Sequence, residues 1–92
     1  EIEFQILETD LVEACKVIPL IVDGKASRLI ACFVPKGGMR DSDEVVERIR
    51  KQLKTMLPYY MIPNDFFAVA SMPTNSNGKV DKKALLKQYI ES

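Results

Sequence analysis

Leu29-Ile30-Ala31-Cys32-Phe33-Val34 is an unbroken apolar run of strand length. A strand with one solvated face alternates polar and apolar residues, and this run does not. It therefore reads as a strand covered on both faces. Pro35 and the Gly37-Gly38 pair end it.

Upstream, Val12–Val22 has the β-branched composition of a second strand. Pro19 has no N–H to give a ladder, so this strand needs an edge position or a bulge. Asp23-Gly24-Lys25-Ala26-Ser27 supplies the turn of a hairpin. In a simple register across that turn, Cys32 faces Ile18 or Pro19, not Cys15. The two cysteines then read as free thiols packing as small hydrophobes, which suits a cytoplasmic setting.

Downstream, Asp41 and Glu44 have the spacing of a capping box, with Asp in place of Ser or Thr. Val45, Ile49, Leu53 and Met56 follow on one helical stripe, with Val46 and Leu57 adjoining. Acidic residues come early and basic ones late, as the helix dipole favours, and Pro58 stops the helix. Residues 66–70 form a short strand. Strand, helix and strand within about 40 residues are the size of a crossover unit, so this strand should run parallel to that at 29–34. Whether the two touch or enclose a third is left open.

At the ends, Ile2, Ile6 and Leu7 suggest one face of a helix over residues 1–8. It starts without a capping residue, as in a segment cut from a longer chain. Asp81 reads as an N-cap, with Val80 and Leu85 spaced as a hydrophobic staple, and Leu85, Leu86, Tyr89 and Ile90 give the final helix its buried side. The expected fold is one α+β domain over residues 1–92, a small mixed three-stranded sheet packed with about three helices.

Ninety-two residues can build a core but cannot also enclose a sizeable substrate pocket. Thirteen basic and thirteen acidic residues balance, which argues against nucleic acid as partner. No apolar run is long enough for membrane insertion. With no histidine and two cysteines, zinc is improbable, and nucleophile–histidine pairs are excluded. No metal ligands are assigned.

Chemistry concentrates in Thr74-Asn75-Ser76-Asn77-Gly78-Lys79-Val80-Asp81. Asn77-Gly78 is a turn dipeptide that tolerates positive φ. Lys79 follows it, two residues before a helix cap, where backbone donors, the dipole and an ammonium together suit a phosphate or carboxylate. The plainer reading is a surface loop with a solvated lysine. Lys82 and Lys83 fall in the first helical turn, where the dipole disfavours cations. They serve either an anionic partner or ordinary solvation. Leu57-Pro58-Tyr59-Tyr60-Met61-Ile62-Pro63 reads as a stiffened connection in which both tyrosines bury large area. No carboxylate pair has an acid–base arrangement, and Gly37-Gly38 lacks a phosphate-loop context.

Taken together, the 57–63 segment, the short strand and Asn77-Gly78-Lys79-Val80-Asp81 closely resemble the C-terminal subdomain of amino-acid-activating adenylation enzymes. Glu1-Ile2-Glu3 looks like the tail of the segment after the hinge in those enzymes, and the likeness covers essentially the whole chain. Within that superfamily it leans toward D-alanine–carrier protein ligases, with nonribosomal peptide synthetase adenylation domains as the other choice. The resemblance implies that an amino acid and ATP give aminoacyl-adenylate, and that the acyl group passes to the phosphopantetheine thiol of a carrier protein. Lys79 matches the family's C-terminal lysine, which bridges the substrate carboxylate and the α-phosphate. Asn77 and Gly78 would form the nucleotide loop, and Lys82 and Lys83 would contact phosphate or carrier.

The small subdomain is expected to rotate between the two steps. ATP and Mg²⁺ would be bound mainly by a larger N-terminal subdomain, so this segment alone should be inactive. Two residues depart from the family pattern. Ser76 stands where proline is common, and Lys82 where arginine is common. The rival readings are a non-catalytic interaction module and the lid of an acyl- or aryl-CoA ligase.

Overall fold

The computed structural model describes residues 2–38 and 42–91. In chain order these form α1 (Ile2–Glu8), β1 (Val12–Val22), β2 (Lys25–Pro35), α2 (Ser42–Met56), β3 (Asp65–Ala68) and α3 (Lys82–Glu91), with single 3-10 turns at Lys36–Gly38 and Tyr59–Met61. The expected α+β class and mixed three-stranded sheet are what the chain adopts. Asp41 of the expected capping box lies outside the described residues.

The sheet order is β1-β2-β3, with β1 antiparallel and β3 parallel to β2. The apolar run at 29–34 is thus the central strand, and β3 lies directly beside it. Alternation of side chains along β2 feeds two cores. Ala31 and Phe33 point to one face, where they pack with Ile6 of α1 and with Val45, Ile49 and Leu53 of α2. Ile30 and Cys32 point to the other, with Ile18, Val69 and Leu85 of α3. Each fully buried aliphatic chain is worth roughly 1.5–3 kcal/mol relative to exposure, so Val45, Ile49 and Leu53 contribute strongly to holding α2 against the sheet.

Pro19 sits on β1, an edge strand, as its missing donor requires. The outward edge of β1 is also tied down: the N–H of Val17 donates to Glu3 Oε2 at 2.8 Å, so α1 closes part of it. The hairpin is tighter than the sequence suggested. Only Asp23 and Gly24 form the turn, with φ of 53° and 77°, and Val22 pairs with Lys25. Positive φ at both positions matches the right-handed twist of the flanking strands.

The register also differs from expectation. Cys32 lies opposite Lys16 and Cys15 opposite Phe33, because the turn is short and a one-residue irregularity falls at Ser27. The cysteines therefore pack on opposite faces, both free, with Cys15 half-buried and Cys32 buried. Met56, expected on the buried stripe of α2, is 42% exposed, and Leu7 of α1 also faces out. Met56 is the last residue of its helix. No helix among the described residues is long and apolar enough to cross a membrane.

Candidate active-site loop

From β3 the chain continues its parallel pairing for one residue, the N–H of Val69 donating to the carbonyl of Phe33 at 2.8 Å. It then enters a miniature hairpin closed by an antiparallel bridge between Thr74 and Val80. The loop has three residues, Ser76, Asn77 and Gly78. Gly78 N–H donates to the carbonyl of Asn75 (3.0 Å), which makes Asn75–Gly78 a β-turn. Gly78 then takes φ +79°. Asn77 tolerates positive φ but does not take it here, because the loop is a turn followed by a left-handed residue rather than a two-residue reversal.

Lys79 stands on the return arm. Its carbonyl accepts from Asn75 N–H at 2.8 Å, and its own N–H donates to Asn75 Oδ1 at 3.1 Å. The same Oδ1 accepts the N–H of Asn77 at 2.9 Å. The backbone of the lysine is therefore held on both sides, while its side chain is exposed and no ion pair to it is seen among the described residues. Asn75 was not singled out from sequence. An Asn two residues before a turn position was the available signal, since its side chain mimics a backbone turn.

Two residues beyond Lys79, Asp81 caps α3 as expected. Ala84 N–H donates to Asp81 Oδ1 and Leu85 N–H to the Asp81 carbonyl, both at 3.1 Å. Val80 and Leu85 share the second core, as the staple spacing implied. The cap alters one part of the sequence reading. A carboxylate already sits at the positive end of α3, so an anion near this loop would rest on the Lys79 ammonium rather than on that helix end. Lys82 and Lys83 occupy the first turn of α3 with exposed side chains, where the Asp81 charge offsets their unfavourable position.

The 57–63 segment behaves differently from its expected packing role. Pro63 is buried, but Tyr59 and Tyr60 are 88% and 71% exposed and meet edge to face at 5.7 Å. They border a shallow groove of about 340 Å³ whose other walls are the start of β2 (Ala26, Arg28, Leu29) and Asn64. Neither Lys79 nor its neighbours line this groove, so the aromatic pair and the lysine loop do not form one described pocket.

Elsewhere, Tyr89 donates its hydroxyl to Asp65, which also pairs with Arg28 at 3.4 Å. This links α3 to β3 and β2. The hydrogen bond to Asp65, then burial, raises the Tyr89 pKa. Burial pushes the Cys15 thiol up to about 12, with the Glu3 charge adding to it, and the Cys32 thiol up to about 11. Neither is a thiolate nucleophile at neutral pH. Among the described residues no three His, Cys, Asp or Glu side chains gather as a metal ion would need.

Comparison with known proteins bears on this loop. The family model described as "AMP-binding enzyme C-terminal domain" matches residues 1–79, ending on the lysine. A curated relative, "D-alanine--D-alanyl carrier protein ligase" of Staphylococcus haemolyticus, is 39% identical over 83 residues, or 90% of this chain and 17% of the relative. Its Staphylococcus aureus counterpart is 36% identical over 85 residues, 92% of this chain and 18% of the relative. Among solved structures, Klebsiella oxytoca NpsA in complex with 3-hydroxyanthranilyl-AMSN superposes with TM-score 0.73 at 27% identity. Mycobacterium tuberculosis fatty acyl CoA synthetase does so with TM-score 0.76 at 29% identity. In both cases 97% of this chain covers 17% of the other. The chain thus spans about a sixth of the length of the proteins it matches.

Proposed function

Because the chain belongs to the AMP-binding enzyme C-terminal domain family, we propose that it is the mobile C-terminal subdomain of a longer ATP-dependent ligase that activates an amino acid. In the first step the substrate carboxylate attacks the α-phosphorus of ATP and pyrophosphate leaves. In the second, the phosphopantetheine thiol of a carrier protein attacks the acyl carbonyl and AMP leaves. D-alanine is the preferred substrate, a reading supported by the names of the two staphylococcal relatives.

The observation that carries the proposal is the state of Lys79. Its backbone is clasped from Asn75, and its exposed ammonium is left for a group outside the hairpin. In the first step that charge would meet the negative charge building between the carboxylate and the α-phosphate, a positioning and electrostatic role. Asn77 and Gly78 shape the loop that carries it, and Lys82 and Lys83 offer further positive charge to phosphate or to the carrier. Rotation of the subdomain would withdraw the lysine for the second step. The remaining partners are the larger N-terminal subdomain and the carrier. ATP, with its Mg²⁺, falls to that larger part. Among the described residues no cluster of His, Cys, Asp or Glu would hold that ion here.

A second reading keeps the adenylate and sends the acyl group to coenzyme A. It is favoured by the likeness to the mycobacterial fatty acyl CoA synthetase. Substrate-dependent ATP–pyrophosphate exchange on the full-length protein separates the two. D-alanine should drive exchange and give a carrier-bound thioester. Exchange driven only by a fatty or aryl acid, with a coenzyme A thioester as product, would favour the second reading.

A further inference from the structure

Ser76, Asn77 and Gly78 span the hairpin loop that presents Lys79, and among the described residues no side chain from another element is seen bonded to them. Gly78 faces open space on its Cβ side, where no heavy atom beyond its chain neighbours lies within 4 Å among the described residues. Ser76 and Asn77 are exposed, and their side chains make no bond among those seen in the described residues. Below the Thr74–Val80 bridge that closes the hairpin, the bonds that shape the loop converge on one residue. Asn75 takes part in four hydrogen bonds: its N–H to the Lys79 carbonyl, its carbonyl from Gly78, and its Oδ1 from both Asn77 and Lys79.

Two of the four are made by the side chain, and both converge on one oxygen. Backbone bonds alone would leave the N–H of Lys79 without a partner in the hairpin. The carboxamide oxygen fills that place and ties the lysine's own peptide group to the opposite arm. We propose that Asn75 is a positioning residue for Lys79, acting through the peptide unit of the lysine to fix where its side chain leaves the hairpin. The inference rests on the adenylation role of Lys79 given above. It predicts that Asn75 matters in the step that uses the lysine and not in the step from which the lysine has withdrawn.

The test uses the full-length ligase with ATP, D-alanine and the carrier protein, and reads exchange and transfer from preformed adenylate separately. Asn75→Ala should lower kcat for exchange between about 10- and 100-fold, the scale of a misplacement near 1 Å, with KM for ATP unchanged. Transfer should keep its rate. Adding Ser76→Pro to Asn75→Ala should recover most of the loss. Proline suits the second position of this turn, and the Ser76 N–H makes no bond seen among the described residues. Asn75→Ser should fall between, since a hydroxyl makes the same bonds more weakly.

Wild-type exchange in Asn75→Ala, with exchange abolished in Lys79→Ala, overturns the positioning role and leaves the lysine's role standing. Equal loss of both half-reactions, or a double variant no better than the single one, also overturns it. Persistent exchange in Lys79→Ala removes the adenylation role of Lys79 and this inference with it.

Discussion

The N–H of Asp81 donates to the carbonyl of Pro73 at 2.8 Å, locking the two ends of the lysine hairpin together at the point where α3 begins. Asp81 thus belongs to two structures at once. Its backbone closes the hairpin, and its carboxylate caps the helix. Loop and helix should respond together when it is changed.

Asp81→Ala removes the cap and is expected to lower stability by about 1 kcal/mol, whereas Asp81→Asn should keep most of it. Urea unfolding of both variants checks this. If the alanine variant is as stable as wild type, α3 draws nothing from its cap.

Gly78→Ala tests the loop by backbone alone. The site is open, so no side-chain clash arises, but φ +79° disfavours any residue with a Cβ by roughly 1–2 kcal/mol. The alanine variant should unfold at lower urea. Gly78→Asn should do better than alanine, because Asn tolerates the left-handed region. Equal stability of the two variants would contradict the assigned geometry.

Tyr89 gives a pH signature. Its pKa is raised in the fold by the hydrogen bond to Asp65, so the folded chain holds that proton where the unfolded chain has lost it. The bond's stabilisation is complete below the ordinary tyrosine value of about 10, and it fades as pH rises through the higher folded value. Tyr89→Phe should therefore be less stable than wild type at pH 8, with the gap closing in more alkaline solution. Both proteins will also lose stability above pH 9, where unfolded thiols ionise before Cys15 and Cys32 do in the fold. A gap that stays constant to high pH would argue against the Tyr89–Asp65 bond.

The run at 29–34 announced the covered strand because burial on both faces leaves no room for alternation. Asp81, Val80 and Leu85 announced the last helix because caps and staples are local. Register was not local. It depended on a two-residue turn and on one extra residue at Ser27, and that single shift places Cys15 and Cys32 on opposite faces. The tyrosines were misjudged for a related reason. A side chain that is apolar in body and polar at the tip fits a core or a surface equally, and only the path of residues 57–63 turns both outward. Of the lysine loop, composition revealed the turn and the charge. The grip of Asn75 on Lys79 emerges only when the two arms of the hairpin are brought side by side.

The most direct test is amino-acid-dependent ATP–pyrophosphate exchange by the full-length protein carrying Lys79→Ala, run beside transfer of the aminoacyl group from preformed adenylate to the carrier. The account predicts that exchange is abolished while transfer survives. Exchange near the wild-type rate would contradict it.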